Sequence, residues 1–129
     1  MTQASPAALL IDDDDTIATL LRFLLQRQGW TVQRCDDGAE AMQAMEQGPA
    51  PQLVLLDMML PVHDGLTLLA KLRSLPAWQD VPVVMLTGKD DQQMMDRAFA
   101  AGATDYVSKP FNPIELGERL RKYLPAGPG

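Results

Sequence analysis

The chain has 129 residues, 47% of them hydrophobic, which is the size and composition of one ordinary globular domain. Its formal net charge of −6 argues against direct binding to nucleic acid, because that interaction requires a basic surface. The apolar residues occur in blocks too short to cross a bilayer. The sequence has one cysteine and begins without the basic and apolar regions of a secretion signal, so we expect a cytoplasmic protein.

Short apolar runs alternate along the chain with segments of helical periodicity. The runs predict five strands, at residues 7–11, 31–32, 53–56, 81–86 and 106–107, and a helix is predicted after each of them. This alternation, with short connections, indicates an α/β fold: a doubly wound five-stranded parallel sheet of order 2-1-3-4-5 with flavodoxin-like topology. We expect residues 7–124 to form the domain, with a disordered extension at residues 1–6 and a flexible tail or linker at residues 125–129.

Polar residues and glycines mark the ends of the predicted helices. Short polar side chains are favoured as N-caps because they accept hydrogen bonds from the free amides of the first turn. The expected N-caps are Asp14 or Asp15, Asp64, Asp90 and Asn112, and the expected glycines after helix ends are Gly29 and Gly102. The fourth helix is predicted to bury one stripe formed by Met94, Met95, Ala98 and Phe99.

Four consecutive aspartates, Asp12–Asp15, follow the first strand directly. Helix capping explains Asp14 or Asp15, since a carboxylate suits the positive end of a helix. It does not explain Asp12 and Asp13, which lie at the end of a buried strand, where we expect like charges to repel one another unless a cation is present. A hard divalent cation such as Mg²⁺ would relieve this repulsion, so the sequence predicts a metal site here.

Other strands also end in side chains suited to phosphate chemistry. The third strand ends at Asp57, the fourth at Thr87, and Lys109 follows the fifth. The carboxyl ends of parallel strands share one edge of the sheet, so these side chains should meet Asp12 and Asp13 there. Acids hold a metal, a lysine and a hydroxyl bind phosphoryl oxygens, and one carboxylate remains to attack phosphorus. The pattern predicts that one of these aspartates forms an aspartyl phosphate.

These motifs occur in a specific order and spacing. They are the strand leading into Asp12-Asp13, Asp57 followed by Pro61 and Asp64-Gly65, the dipeptide Leu86-Thr87, and the segment at residues 102–111. With them the sequence resembles, from Leu9 to Leu124, the receiver domain of bacterial two-component response regulators. The resemblance implies a phosphorylation-dependent signalling switch that catalyses only its own phosphotransfer and dephosphorylation, rather than an enzyme.

The resemblance also implies how the site is used. Asp57 would accept a phosphoryl group from a histidine of a sensor kinase or a phosphotransfer protein. Mg²⁺ would be bound by Asp12, Asp13, Asp57 and the backbone carbonyl of Met59. The family usually has alanine where this chain has Gly88, and the variable positions Met59 and Lys89 are expected to influence how long the phosphate lasts.

The resemblance also implies roles for residues of the fourth and fifth strands and of the segments that follow them. Thr87 and Lys109 would bind phosphoryl oxygens, and the Lys109-Pro110 peptide would be cis. Thr87 and Tyr106 match the family's switch pair, in which the hydroxyl moves toward the phosphate and the ring swings inward. A homodimer is implied through the face of the fourth helix, fifth strand and fifth helix. In the family, ionic contacts across this face join two receivers. Part of that set of charged residues is matched by Asp105, Glu115, Arg119 and Arg121, whereas Thr104 stands where the family commonly has an acid.

Other functional classes fit the sequence less well. An Mg²⁺-dependent aspartyl-phosphate phosphohydrolase of the haloacid dehalogenase type needs a second acid two residues after its nucleophile, where this chain has Met59. A flavodoxin-like cofactor binder needs a loop rich in Gly, Ser and Thr after the first strand, where Asp12–Asp15 would repel a phosphate. His63, the only histidine, is expected to be a solvated loop residue.

Overall fold

The computed structural model describes residues 6–60, 64–88 and 92–124. The strands in these ranges are β1 (Ala7–Ile11), β2 (Thr31–Cys35), β3 (Leu53–Asp57), β4 (Val83–Thr87) and β5 (Asp105–Ser108). The helices are α1 (Asp15–Arg27), α2 (Gly38–Gln47), α3 (Gly65–Ser74), α4 (Gln92–Ala100) and α5 (Pro113–Arg121), and a 3-10 turn spans Pro76–Trp78. The α/β alternation predicted from the sequence is confirmed.

The five strands form one parallel sheet in the predicted order β2-β1-β3-β4-β5. The strand order changes direction at β1 and β3, which are neighbours, with Ile11 opposite Leu56. Their carboxyl ends therefore lie side by side, where ligands bind in folds of this kind. The second strand extends to Cys35, further than predicted, and the fourth begins only at Val83 because Pro82 has no amide hydrogen to donate.

The two faces of the sheet carry separate hydrophobic clusters, because alternate residues of a strand point to opposite sides. Leu10 and Leu55 belong to the cluster that includes residues of α1 and α5. Ile11 and Leu56 belong to the cluster that includes residues of α2, α3 and α4. Each of these four side chains is fully buried, and burial of one such side chain contributes about 1.5–3 kcal/mol. The central strands therefore fix rigidly the residues at their carboxyl ends.

The surface of α4 differs from the prediction. Ala98 is fully buried, and Met94 and Met95 pack partly against the core, but Phe99 is 44% exposed. Phe99 is one residue beyond Ala98, which places it about 100° around the helix from the buried side. Gly102 follows the helix with φ of 109°, a conformation that favours glycine.

The helix ends largely agree with the sequence pattern. Asp14 and Asp64 each accept a hydrogen bond from the amide three residues further on, and the Asn112 side chain accepts two at the start of α5. Gly29, after α1, has φ of 98°. Asp90, the expected cap of α4, lies outside the described residues, as do residues 1–5 and 125–129. No helix in the described part of the chain is long and apolar enough to cross a membrane.

Candidate functional site

The carboxyl ends of four strands bring the predicted side chains to one edge of the sheet. Asp12 follows β1, Asp57 ends β3, Thr87 ends β4, and Lys109 follows β5. Asp12, Asp57 and Thr87 are almost completely buried, with exposures of 0%, 5% and 1%. Burying a carboxylate costs free energy unless a partner compensates its charge. Two buried acids at one edge therefore require a cation.

Lys109 supplies a positive charge between the two buried acids. Its Nζ donates a hydrogen bond of 2.9 Å to Asp12 Oδ2 and lies 3.3 Å from Asp57 Oδ2. Burial alone would lower the pKa of the Lys109 ammonium, but its hydrogen bonds to the carboxylates and their charges raise that pKa above its ordinary value. The Lys109 amide also donates to the carbonyl oxygen of Thr87, and the Lys109-Pro110 peptide is cis. Lys109 is therefore held in its charged form.

The environment of Asp57 makes its carboxyl group harder to ionise than that of a free aspartate. Burial raises the pKa of Asp57, and the charge of Asp12 adds to this effect, which exceeds the opposing influence of the Met59 amide and the Lys109 ammonium. The Met59 amide donates to Asp57 Oδ1 at 3.1 Å, whereas Oδ2 faces Lys109. The two carboxylate oxygens thus have different, fixed partners.

Asp13 completes a cluster of three carboxylates. Asp12, Asp13 and Asp57 each offer one oxygen, and these oxygens all lie within 4.8 Å of one another. Asp13 is exposed, so the cluster opens to solvent on one side. Mg²⁺ takes carboxylate oxygens and keeps several waters, so the donor set and its open side fit this ion. The backbone carbonyl of Met59, expected as a further ligand, stays a prediction.

The expected switch residues lie on adjacent strands. Thr87 is opposite Ser108, and Tyr106 is opposite Met85. Tyr106 therefore lies beside the residue that is two positions before Thr87 on β4. Tyr106 is 6% exposed and belongs to the cluster that includes residues of α2, α3 and α4. The ring thus occupies a buried position in this structure, and its movement upon phosphorylation stays a prediction.

Most of the chain matches one known protein family. Residues 8–121 fit the model of the response regulator receiver domain. The chain belongs to this family. Over 119 residues the receiver is 40% identical to the DNA-binding dual master transcriptional regulator RpaA of Synechocystis, a match that covers 92% of this chain and 49% of that protein. The receiver therefore spans about half the length of the curated relatives it matches.

Solved receiver structures share the fold of this receiver. The chemotaxis response regulator CheY4 of Vibrio cholerae has a TM-score of 0.86 and 27% identity, and the match covers 94% of this chain and 100% of that one. The receiver domain of the sensor histidine kinase PA1611 of Pseudomonas aeruginosa has a TM-score of 0.83 and 28% identity, with coverage of 95% and 100%. That structure holds a magnesium ion in its active site cleft.

Two residues support the site although their contacts were not predicted. Gly65, the first residue of α3, packs against the backbone of β3, where an added Cβ would lie 2.6 Å from the Asp57 carbonyl oxygen and 2.7 Å from Met58 Cα. Arg34 of β2 donates two hydrogen bonds to the carbonyl oxygen of Asp12. The role of Gly65 could be suspected from its place in a recognised motif. No local pattern indicates Arg34, because its contact joins separate strands.

The thiol of Cys35 has no role in this arrangement. Cys35 is buried, and burial together with the charges of nearby carboxylates raises the pKa of its thiol to about 11. The thiol is therefore protonated at neutral pH and is a poor nucleophile. His63 and Lys89 lie outside the described residues.

The raised pKa of Asp57 predicts that Asp57→Asn stabilises the metal-free protein. At neutral pH the wild-type protein must bury an ionised carboxylate, and this cost is relieved as the pH falls through the raised pKa and the native state takes up a proton. We expect Asp57→Asn to increase the free energy of unfolding at pH 7 by about 1 kcal/mol, within the range of about 0.5–2 kcal/mol that single stabilising substitutions commonly give. Urea titrations with a chelator measure this. The difference from wild type should disappear toward pH 4, and a variant less stable than wild type at pH 7 would contradict the prediction.

Proposed function

We propose that this receiver accepts a phosphoryl group on Asp57 from a histidine of a sensor kinase or a phosphotransfer protein, in a Mg²⁺-dependent reaction in the cytoplasm. The observation that carries the proposal is the buried Asp57 carboxylate, 3.3 Å from the Lys109 ammonium and clustered with the carboxylates of Asp12 and Asp13. A nucleophile, a cation-binding cluster and a fixed positive charge therefore face one another.

In the proposed reaction one oxygen of Asp57 forms a bond to phosphorus. The bond between phosphorus and the imidazole nitrogen of the donor breaks, and the nitrogen keeps the electron pair. Bound by the three aspartates and the Met59 carbonyl, Mg²⁺ would supply positive charge to the phosphoryl oxygens. Lys109 donates a charge-assisted hydrogen bond to one phosphoryl oxygen, and the Thr87 hydroxyl donates to another.

The new bonds to the phosphoryl group would bias the switch. Changing the ratio of active to inactive receivers from about 1:99 to 99:1 requires about 5.5 kcal/mol of differential stabilisation. Charge-assisted hydrogen bonds from Thr87 and Lys109 supply a part of this free energy. With the Thr87 hydroxyl drawn to the phosphate, the Tyr106 ring is held inward, and the face formed by α4, β5 and α5 changes shape. A downstream partner or an effector domain would recognise that face, while the receiver itself makes no contact with nucleic acid.

A homodimer through the same face is a further part of the proposal. Asp105 and Arg119, two of the residues expected to pair between receivers, form an ion pair within one chain, with Arg119 Nη2 at 2.7 Å from both carboxylate oxygens. In a dimer, Asp105 and Arg119 would have to bond residues of the partner receiver in addition to each other or instead of each other. Molecular mass in solution, measured with and without beryllofluoride, tests self-association, and a monomer in both conditions would contradict it.

The proposed function is tested by incubation with acetyl phosphate and Mg²⁺, followed by intact mass measurement. We expect one phosphoryl adduct on the native chain and none on Asp57→Asn, because the variant has no carboxylate nucleophile at that position. Removal of Mg²⁺ by a chelator should also abolish the adduct. Peptide mapping should place the adduct on the segment that contains Asp57.

Asp64→Asn is the matched control for this experiment. Asp64 caps α3 beside the site but is not among the clustered carboxylates, and asparagine is an equally good N-cap. This variant should take up the phosphoryl group like the native chain. An adduct that forms without metal or persists in Asp57→Asn would refute the proposal. The alternative phosphohydrolase would need a second acid two residues after the nucleophile, and Met59 occupies that position.

A further inference from the structure

Arg34 contacts the peptide group that joins the first two aspartates of the metal cluster. Its Nε and Nη2 donate to the carbonyl oxygen of Asp12 at 3.3 and 3.1 Å. Pairing between β1 and β2 ends with Ile11 opposite Cys35. The Asp12 carbonyl lies just beyond these paired residues and accepts its hydrogen bonds from the Arg34 guanidinium. The carbonyl belongs to the peptide bond between Asp12 and Asp13, and its orientation determines where the chain turns as it enters Asp13.

The guanidinium is itself held in place by two other carboxylates. Nη1 lies 2.9 Å from Asp15 Oδ1, and Nε lies 3.0 Å from Asp36 Oδ1. The Arg34 side chain is only 18% exposed, whereas the Asp15 and Asp36 side chains are 89% and 65% exposed. The planar fork of arginine suits several simultaneous hydrogen bonds, which a lysine cannot reproduce. The positive charge is thus compensated locally by two acids that the metal cluster does not use.

The remaining polar atoms of Asp12 are fixed as well. Its amide donates to the Cys35 carbonyl oxygen at 3.2 Å, Oδ1 accepts from the Asp14 amide at 2.9 Å, and Oδ2 accepts from Lys109. Arg34 therefore completes a set of contacts that leaves the Asp12 residue little rotational freedom. By contrast, Asp13 has an exposed side chain, so its orientation depends on the peptide plane before it.

We propose that Arg34 is a positioning residue for the Mg²⁺ site, because it fixes the peptide plane between Asp12 and Asp13 and thereby presents both carboxylates to the ion. The inference rests on the proposed function, since it presumes that these acids bind Mg²⁺. Groups that do not touch the metal but hydrogen-bond and orient its ligands commonly contribute 10- to 100-fold to metal affinity. An electrostatic role would have the opposite sign, since removing a positive charge near the site would strengthen cation binding.

Mg²⁺ titration by calorimetry of the wild-type chain, Arg34→Lys and Arg34→Gln distinguishes the two roles. If Arg34 acts by positioning, both variants lose the pair of guanidinium N–H donors that bonds the Asp12 carbonyl. The dissociation constant for Mg²⁺ should then rise by about 10-fold or more. Arg22→Gln is the matched control, because it removes the same charge from an exposed position of α1 and should bind Mg²⁺ like wild type. Circular dichroism of each metal-free variant establishes that it is folded.

The outcomes separate this inference from the proposed function. Wild-type affinity in Arg34→Lys, or tighter binding in Arg34→Gln, would overturn the positioning role while leaving the metal site intact. If the wild-type chain itself shows no binding heat and no Mg²⁺-dependent rise in melting temperature, the proposed metal site fails. Arg34→Lys keeps the charge and the aliphatic stem, so it decides the question if Arg34→Gln does not fold.

Discussion

Lys109→Met is expected to destabilise the metal-free receiver by about 3 kcal/mol at neutral pH. Removing one partner of a buried ion pair commonly costs about 3–5 kcal/mol, and the lower value applies because the Lys109 side chain is 15% exposed. The substitution leaves the carboxylates of Asp12 and Asp57 facing each other without a counter-charge. Urea titration in the presence of a chelator measures the loss.

The pH dependence and a second substitution test the physical reason for this loss. Without the ammonium, the pKa of the Asp57 carboxyl group should rise further, so the deficit should shrink as the pH falls and this group takes up a proton. Adding Asp57→Asn to Lys109→Met should restore part of the stability, because one of the two uncompensated charges is removed. Equal stability of Lys109→Met and wild type at pH 7 would contradict the assigned ion pairs.

Lys109→Met should also slow phosphorylation by acetyl phosphate by about 100-fold or more, the usual effect of removing one donor that stabilises developing negative charge. The initial rate of adduct formation at saturating Mg²⁺ measures this effect. Because Asp57 remains in place, the adduct should still form slowly. An unchanged rate would show that Lys109 does not act on the phosphoryl group.

Gly65→Ala is expected to reduce both stability and phosphorylation. The new Cβ would lie 2.6 Å from the carbonyl oxygen of Asp57 and 2.7 Å from Met58 Cα, and neither backbone atom can rotate away. Overpacking of this kind costs about 1–3 kcal/mol. The displacement falls on the backbone that carries the phosphoacceptor, and misplacing a reacting group by about 1 Å can cost about 100-fold in rate. Thermal denaturation and the rate of adduct formation measure the two effects.

Gly117→Ala is the matched control for that substitution. Gly117 lies within α5, and a Cβ there would meet only the Gln28 side chain at 3.5 Å, an ordinary contact. Alanine in a helix interior is favoured over glycine by about 0.5–1 kcal/mol, so this variant should be more stable than wild type. If Gly65→Ala matches Gly117→Ala in stability and in phosphorylation rate, the close approach of α3 to β3 has no functional consequence.

The sequence was sufficient to predict the fold and the residues that gather at its edge. The unbroken apolar run before Asp57 indicates a strand buried on both faces, and alternation with helical segments requires a parallel sheet. The carboxyl ends of such strands share an edge, so Asp12, Thr87 and Lys109 were expected beside Asp57, as the structure shows. Caps such as Asn112 were also predictable, because they depend on residues only a few positions away.

The tertiary structure decided the contacts that depend on the register and distance between elements. The hydrogen bonds from Arg34 to the Asp12 carbonyl join residues 22 positions apart, and no local pattern encodes them. The pairing of Asp105 with Arg119 within one chain and the exposure of Phe99 likewise follow from how α4, β5 and α5 pack. Sequence periodicity specifies which side of an element is buried, whereas the partner of each polar group is set only when the elements are packed together.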